Sequence, residues 1–410
     1  MSTTPTTHPT RTPVTPEHFE RLVTEVSALF VDRERYVRMM ALALVARAHM
    51  FLVSLPGTGK SMLTRELVKR IDGATFFDVL CDKLEAKDLL FGPVSVPDLV
   101  EGRRKRAYER YAPGADFVFL DEIWRGSEAA SNSLLQFVNE RKYNDDGILV
   151  DVPLWSAFTA SNEVPEPTNA NLAAIYDRFH LRMWVDEVTS PEQMRQLLAL
   201  DPPPANPDPL LTLDQVKEAH AEAMLIPVGP EVNDAFVDLQ IRLRDAGVSV
   251  SGRRQRTALE IARAAAWLDG ADKVGVQHLD FLQHYLWDQP EQITTVRRAV
   301  LEVSAPLRAE VLGVSDQIAA ILVELRSNLE KPDSDERSAK FLEVKRRLRR
   351  AGHELHELES RGAGGAELDE AWRHLADTHR LNEVDGVGIN PVNLDDIVAQ
   401  ARSGSFAPAV

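Results

Sequence analysis

Near the start of the chain, Phe51-Leu52-Val53-Ser54-Leu55-Pro56-Gly57-Thr58-Gly59-Lys60-Ser61 has the residue types, in order, that hold a nucleotide phosphate. It reads as an apolar strand, a glycine turn and the start of a helix. The backbone of Pro56, Gly57, Thr58, Gly59, Lys60, Ser61 and Met62 would form the cradle. Glycines let successive N–H groups point inward. The helix adds its free N–H groups and the positive end of its dipole. Lys60 would reach the β- and γ-phosphates, and the Ser61 hydroxyl would hold Mg²⁺. Ser54 stands where the strict pattern has glycine. The plainer alternative is an ordinary strand-to-helix turn with a surface lysine.

Further along, Asp121-Glu122 closes the apolar run Phe117-Val118-Phe119-Leu120. An aspartate there can hold Mg²⁺ and the adjacent glutamate can polarise an attacking water. A solvated acidic pair would look alike in isolation. Following a phosphate loop at the ligand-binding edge of a sheet, the pair favours the catalytic reading. Three more polar groups are candidates. Asn162, in Thr159-Ala160-Ser161-Asn162-Glu163, either orients the water or is a turn asparagine. Arg178, in Tyr176-Asp177-Arg178-Phe179, either neutralises charge on a transferred phosphoryl or pairs with a nearby aspartate. Arg253 and Arg254 open an Ala-rich helix, where they reach a nucleotide or form surface salt bridges.

These side chains need a scaffold. Continuous apolar strands are expected at 51–55, 74–80, 117–120, 156–160 and 181–185, alternating with helices at 34–47, 62–70 and 131–139. That alternation predicts a parallel five-stranded sheet covered on both faces. A further helix begins near Pro16 with Thr15 as its cap. Residues 91–110 read as an irregular or hairpin insertion ending in the basic run Arg103-Arg104-Lys105-Arg106. Asn144-Asp145-Asp146-Gly147 marks a hairpin within 140–156. Prolines at 202–204, 207 and 209 exclude regular structure and mark a linker. Helical periodicity then fills 212–303, and again 307–329, 336–361 and 368–380, with breaks at 362–365 and 385–388. The expected divisions are a disordered tail at 1–15, an α/β domain at 16–200, a linker at 201–211, an all-α domain at 212–303 and a helical region at 304–410.

Composition narrows the functions. The chain of 410 residues is 44% hydrophobic and 27% charged, with a formal net charge of −16. Such a balance does not favour binding of polyanions. Lys345-Arg346-Arg347-Leu348-Arg349-Arg350 is the best nucleic-acid candidate, but Glu343, Glu354 and Glu357 make it read as a solvated helix face. A single cysteine, Cys81, permits no disulfide within the chain and suits a reducing compartment such as the cytoplasm. The Thr/Pro-rich start lacks the apolar core of a signal peptide. Window 39–55 is interrupted by Arg47 and His49, so no membrane span is expected. The histidines form no ligand cluster with cysteine or carboxylates; His278 and His284 read as flanking a core. No nucleophile motif is visible.

The order of Gly57-Thr58-Gly59-Lys60-Ser61, Leu120-Asp121-Glu122-Ile123, Asn139-Glu140-Arg141, Ala160-Ser161-Asn162-Glu163 and Tyr176-Asp177-Arg178-Phe179 resembles the MoxR group of AAA+ ATPases. Leu120-Asp121-Glu122-Ile123-Trp124, Ala160-Ser161-Asn162-Glu163-Val164-Pro165-Glu166 and Leu181-Arg182-Met183-Trp184 are similar to the wording of its RavA branch. The resemblance covers about residues 16–300. It implies an AAA+ α/β core with a P-loop, an all-α lid and then the helical C-terminal region. Lys60 and Ser61 would be the Walker A pair, Asp121 and Glu122 the Walker B pair, and Asn162 sensor 1. Arg178 would be an arginine finger acting on the neighbouring subunit's nucleotide. Arg253 would be sensor 2 on the lid, with Arg254 the alternative. Residues 91–110 would be the helix-2 insertion and 140–156 the pre-sensor-1 hairpin. ATP or ADP with Mg²⁺, a ring (a hexamer in this family), a cytoplasmic setting and a protein client follow, usually with a von Willebrand factor A partner. Ser54 departs from the family, and the last hundred residues show no match to the RavA accessory domain. Two other functions stay open: a nucleotide-gated assembly module with slow turnover, and a nucleic-acid motor.

Overall fold

Apolar residues recur at helical spacing through the first described stretch, and two helices form there. Helix α1 (Pro16–Ser27) buries Phe19, Leu22, Val23 and Val26. Helix α2 (Glu34–Ala46) is buried along most of its length and ends at Arg47, whose left-handed backbone turns the chain into the first strand. The computed structural model describes residues 13–54, 58–81, 87–102, 105–125, 128–145, 147–166, 169–330 and 335–383. Expectations for residues 1–12, for Pro56 and Gly57, for Arg103 and Arg104, and for the break at 385–388 lie outside the described residues. The chain divides into one unit of Met1–Gln240 with Gly247–Ile293 and a second of Ile241–Ala246 with Thr294–Val410.

In chain order the first unit runs β1 (Met50–Val53), α3 (Lys60–Val68), β2 (Ile71–Asp72), β3 (Phe76–Leu80), α4 (Lys87–Phe91), α5 (Val96–Val100), β4 (Phe117–Asp121), α6 (Glu128–Glu140), β5 (Lys142–Asp145), β6 (Ile148–Asp151), β7 (Ser156–Ser161), α7 (Ala170–Tyr176), β8 (Leu181–Trp184) and α8 (Pro191–Ala199). Strands β3-β4-β7-β1-β8 form the main sheet, in that order, with every pairing parallel. β1 and β7 are wholly buried. Continuous apolar sequence is the signature of such two-sided burial.

Four local differences from expectation have physical causes. β3 is an edge strand with one partner, so it is half-exposed rather than buried. The irregular or hairpin insertion is closed by an antiparallel bridge between Val94 and Arg106, and within it a short helix, α5, was not expected. α8 was not expected from periodicity. Its signal is a cap: the Ser190 hydroxyl accepts from the Gln193 N–H at 3.1 Å, with Pro191 in the first turn. After the prolines the chain forms β9 (Leu211–Thr212), a two-residue parallel pair with β2 in a small sheet of their own. The expected hairpin forms as β5 and β6, antiparallel, with the Gly147 N–H donating to Asn144 Oδ1 at 2.8 Å. Helices α9 (Leu213–Ala223), α10 (Pro230–Asp245) and α11 (Gly252–Leu268) follow, then a 3₁₀ run at Val276–His284 that buries His278.

The second unit holds α12 (Ile293–Ser304), α13 (Pro306–Leu329), α14 (Asp335–Ser360) and α15 (Ala366–Leu381). Ile318, Ile321 and Leu325 of α13 meet Val344, Leu348 and Leu355 of α14 and Trp372 and Leu375 of α15 in one core. Their spacing by three, four and seven gives each helix a single apolar stripe. Glu367 is shared by Arg297, at 3.4 Å, and Arg308.

Candidate nucleotide-hydrolysis site

Three adjacent strands end together at one edge of the sheet. Register places Val53 beside Ser161 and Asp121 beside Ala160, so the segments leaving β1, β4 and β7 converge. Of the loop after β1, Thr58 and Gly59 lie within the described residues. Gly59 has φ of 81° and caps α3, and a side chain there would be strained. Ser54, at the position where the strict pattern has glycine, hydrogen-bonds Thr58 across the loop, hydroxyl to hydroxyl at 2.6 Å. Ser61 is half-buried in the first turn of α3 and Met62 beside it is exposed.

Lys60 is buried at 9% exposure, with Nζ donating to the Ser54 carbonyl at 3.2 Å. Burial lowers its pKa, and Asp121 and Glu122 oppose that shift. Asp121 is raised by burial, drawn back by Lys60 and raised further by Glu122. These reciprocal effects bring Lys60, Asp121 and Glu122 into one electrostatic cluster. Cys81, at the end of β3, feels the same carboxylates; burial first, then Asp121 and Glu122, push its thiol up to about 12.

Glu122 has a left-handed backbone, φ 52°, rare for a residue with a side chain. Its N–H donates to Asp121 Oδ1 at 3.1 Å. Its Oε2 accepts from the Ser161 hydroxyl at 3.3 Å and pairs with Arg125 Nε at 3.5 Å. Sequence reasoning missed both partners, although Arg125 lies three residues on and Ser161 sits inside the stretch already singled out. Asn162 follows directly, and its Oδ1 is buried without a hydrogen-bond partner among the described residues.

Arg178 and Arg253 form a second group. Arg178 donates from Nε to Asn139 Oδ1 at 2.6 Å and from Nη1 to Asp177 at 3.1 Å. Burial lowers its pKa, the nearby Arg253 lowers it further, and Asp177 opposes them. Arg253 is exposed at the start of α11. Arg254, the alternative, is buried and occupied. It bonds Asp288 Oδ1 at 2.7 Å, donates to the Tyr285 carbonyl, and lies 5.1 Å from the Tyr285 ring centre. Arg182 reaches the same Asp288 oxygen at 2.5 Å. One carboxylate thus bridges two buried guanidinium groups, joining β8 to the start of α11.

The residues fit a magnesium nucleotide. Hydroxyl and carboxylate oxygens from Ser61 and Asp121 are the hard donors Mg²⁺ takes when substrate phosphates complete its shell. A buried lysine beside them and an unpartnered amide oxygen on Asn162 suit a phosphate and a water. The basic run of α14 offers less to nucleic acid, because Lys345 pairs with Glu383 at 2.9 Å, Arg350 with Glu354 at 3.0 Å, and Arg347 with Glu324.

A solved structure of a provisionally assigned ATPase from Cytophaga hutchinsonii superposes with a TM-score of 0.56 at 16% identity, covering 70% of this chain and 94% of that one. Residues 231–300 match the AAA lid domain. With the five-stranded parallel sheet, these define the fold as that of an AAA+ ATPase. Residues 17–202 match the MoxR domain in the MoxR-vWA-beta-propeller ternary systems, so this segment carries a MoxR-type AAA+ domain. The uncharacterised protein MJ0812 of Methanocaldococcus jannaschii is 28% identical over 308 residues, 75% of this chain and 81% of that protein. The chaperone MoxR1 of Mycobacterium tuberculosis is 26% identical over 188 residues, 44% of this chain and 47% of that protein.

Proposed function

We propose that the chain is a Mg²⁺-dependent ATPase that assembles into a ring, on the family pattern a hexamer, and couples hydrolysis to remodelling a protein partner. The observation that carries this reading is the cluster of Lys60, Asp121 and Glu122 at three converging strand ends, with Asn162 beside it. Lys60 binds the β- and γ-phosphates, within the backbone cradle of residues 56–62. Ser61 and Asp121 would hold Mg²⁺, which supplies charge neutralisation at the phosphates when bound. Glu122 takes the proton of the attacking water, and Asn162 Oδ1 orients that water. Arg178 acts on the nucleotide of the adjacent subunit. Arg253 is the better sensor 2 candidate, since Arg254 is committed to Asp288 and Tyr285.

The matching family's description names von Willebrand factor A and β-propeller components, which supports a partner of the first kind. The RavA-like wording of the motifs supports a finer placement in that branch. The ion pairs of Lys345, Arg347 and Arg350 support a protein client over nucleic acid. Among the described residues no helix is long and apolar enough to cross a membrane. Together with one buried cysteine, that supports a cytoplasmic setting.

The test is phosphate release with light scattering on the same samples, for wild type, Glu122→Gln and Arg178→Ala. The reading expects hydrolysis by an assembled wild type, two inactive variants, and partial recovery on mixing them. A monomeric wild type with full turnover removes the ring, whereas slow turnover with nucleotide-dependent assembly favours the nucleotide-gated module.

A further inference from the structure

The Asn139-Glu140-Arg141 stretch has no place in the catalytic scheme above, yet its contacts are specific. Asn139 lies in the last turn of α6, exposed, and its Oδ1 accepts from Arg178 Nε at 2.6 Å. Arginine offers only donors, so the amide oxygen is the atom that must face it. Asp177 takes the other arm of the guanidinium at 3.1 Å, and the Arg178 side chain is only 13% exposed. The arginine is therefore gripped from two elements, α6 and its own turn.

Two residues on, Arg141 fixes the same stretch of backbone. Its φ is 52°. It donates from Nε to the Leu154 carbonyl at 3.1 Å and from Nη2 to the Arg47 carbonyl at 2.9 Å. Its own carbonyl accepts from the Val152 N–H at 3.0 Å, closing the base of the β5–β6 hairpin. Asn139 thus sits on a short, anchored link between the hairpin and Arg178.

We propose that Asn139 is a positioning residue for Arg178. It sets the direction of the guanidinium before the neighbouring subunit's nucleotide arrives. A long flexible cation that is already oriented loses less freedom on meeting the transferred phosphoryl. This rests on the reading of Arg178 as a residue acting in trans.

The test is ATP turnover by the full-length chain for Arg178→Ala, Asn139→Ala and Asn139→Asp, alone and mixed with Glu122→Gln. For Asn139→Ala the expected loss in kcat is about 10- to 100-fold with KM within about twofold, the scale of a misplaced catalytic group. Asn139→Asp keeps an accepting oxygen and stays within about threefold of wild type. Mixing Asn139→Ala with Glu122→Gln restores turnover, because the second supplies a well-held arginine to the intact site of the first. Wild-type turnover by Asn139→Ala, with Arg178→Ala inactive, overturns the role of Asn139 alone. So does an Asn139→Ala loss that mixing fails to restore while mixing does restore Arg178→Ala. An Arg178→Ala variant with full turnover removes the trans reading beneath it.

Discussion

At the residue scale, the side chains that would do chemistry differ in what they would cost to lose. Glu122→Gln keeps the shape of the base and removes its proton affinity, so turnover falls by about 10²–10⁴ while nucleotide affinity holds; equilibrium binding of a fluorescent ATP analogue separates the two. Arg178→Ala is expected to cost about 10³ in kcat, the low end for an arginine finger. Ser54 tests the departure from the strict loop pattern. Its hydroxyl meets Thr58 at 2.6 Å, a bond that ties the loop across itself. Ser54→Gly removes that tie and restores the commoner residue, so nucleotide affinity should stay within about threefold, the effect of one neutral hydrogen bond. Loss of binding in Ser54→Gly would mean that the tie itself builds the cradle.

At the scale of elements, the motifs were legible and their mutual placement was not. The strand ahead of the loop, Asp121-Glu122 at a strand end and Asn162 after the next could be read because continuous apolar runs and glycine turns are local signals. The Asn139–Arg178 and Arg254–Asp288 bonds could not, since they join elements far apart in the chain. β3 shows the limit of the apolar-run signal: Phe76 to Leu80 are apolar enough for a core strand, but an edge position leaves them half-exposed. α8 escaped because its apolar residues are exposed and only its cap marks it. The clamp on Asp288 gives a stability prediction. Asp288→Ala leaves Arg182 and Arg254 buried without their carboxylate. Breaking such a pair costs about 3–5 kcal/mol when both partners are buried, and nearer 2–3 here because Asp288 is 44% exposed. Urea unfolding at pH 7 measures it. Acid dependence comes from His180, next to the same clamp. Burial, then Arg182, Arg254, Arg141 and Arg178, depress it from 6.5 to about 3. Between those values the unfolded chain holds the extra proton, so stability falls as pH drops from 6.5 toward 3. Over the step from pH 6.5 to 5 this one group costs about 2 kcal/mol. His180→Gln should lose correspondingly less across that step; equal losses in both proteins would show that His180 does not contribute.

At the scale of the whole molecule, the second unit has its own core, and Trp372 is its largest buried side chain at 1% exposure. Trp372→Ala is expected to destabilise the α13–α15 packing by about 3–5 kcal/mol, read from urea unfolding followed by circular dichroism. Nucleotide affinity at low urea should not change, because no residue of the hydrolysis cluster lies in that core. The order of strands in the main sheet carries a consequence for how the protein is made. β1 lies near the start of the chain but sits between β7 and β8, whose pairing residues come over a hundred positions later. On a ribosome adding ~5–20 residues per second, the most apolar strand of the sheet has emerged for roughly ten seconds before either neighbour exists. Met50 to Val53 must be shielded during that interval by the α1–α2 pair or by a cellular chaperone. A protein proposed to remodel others is, during its own synthesis, in need of the same service.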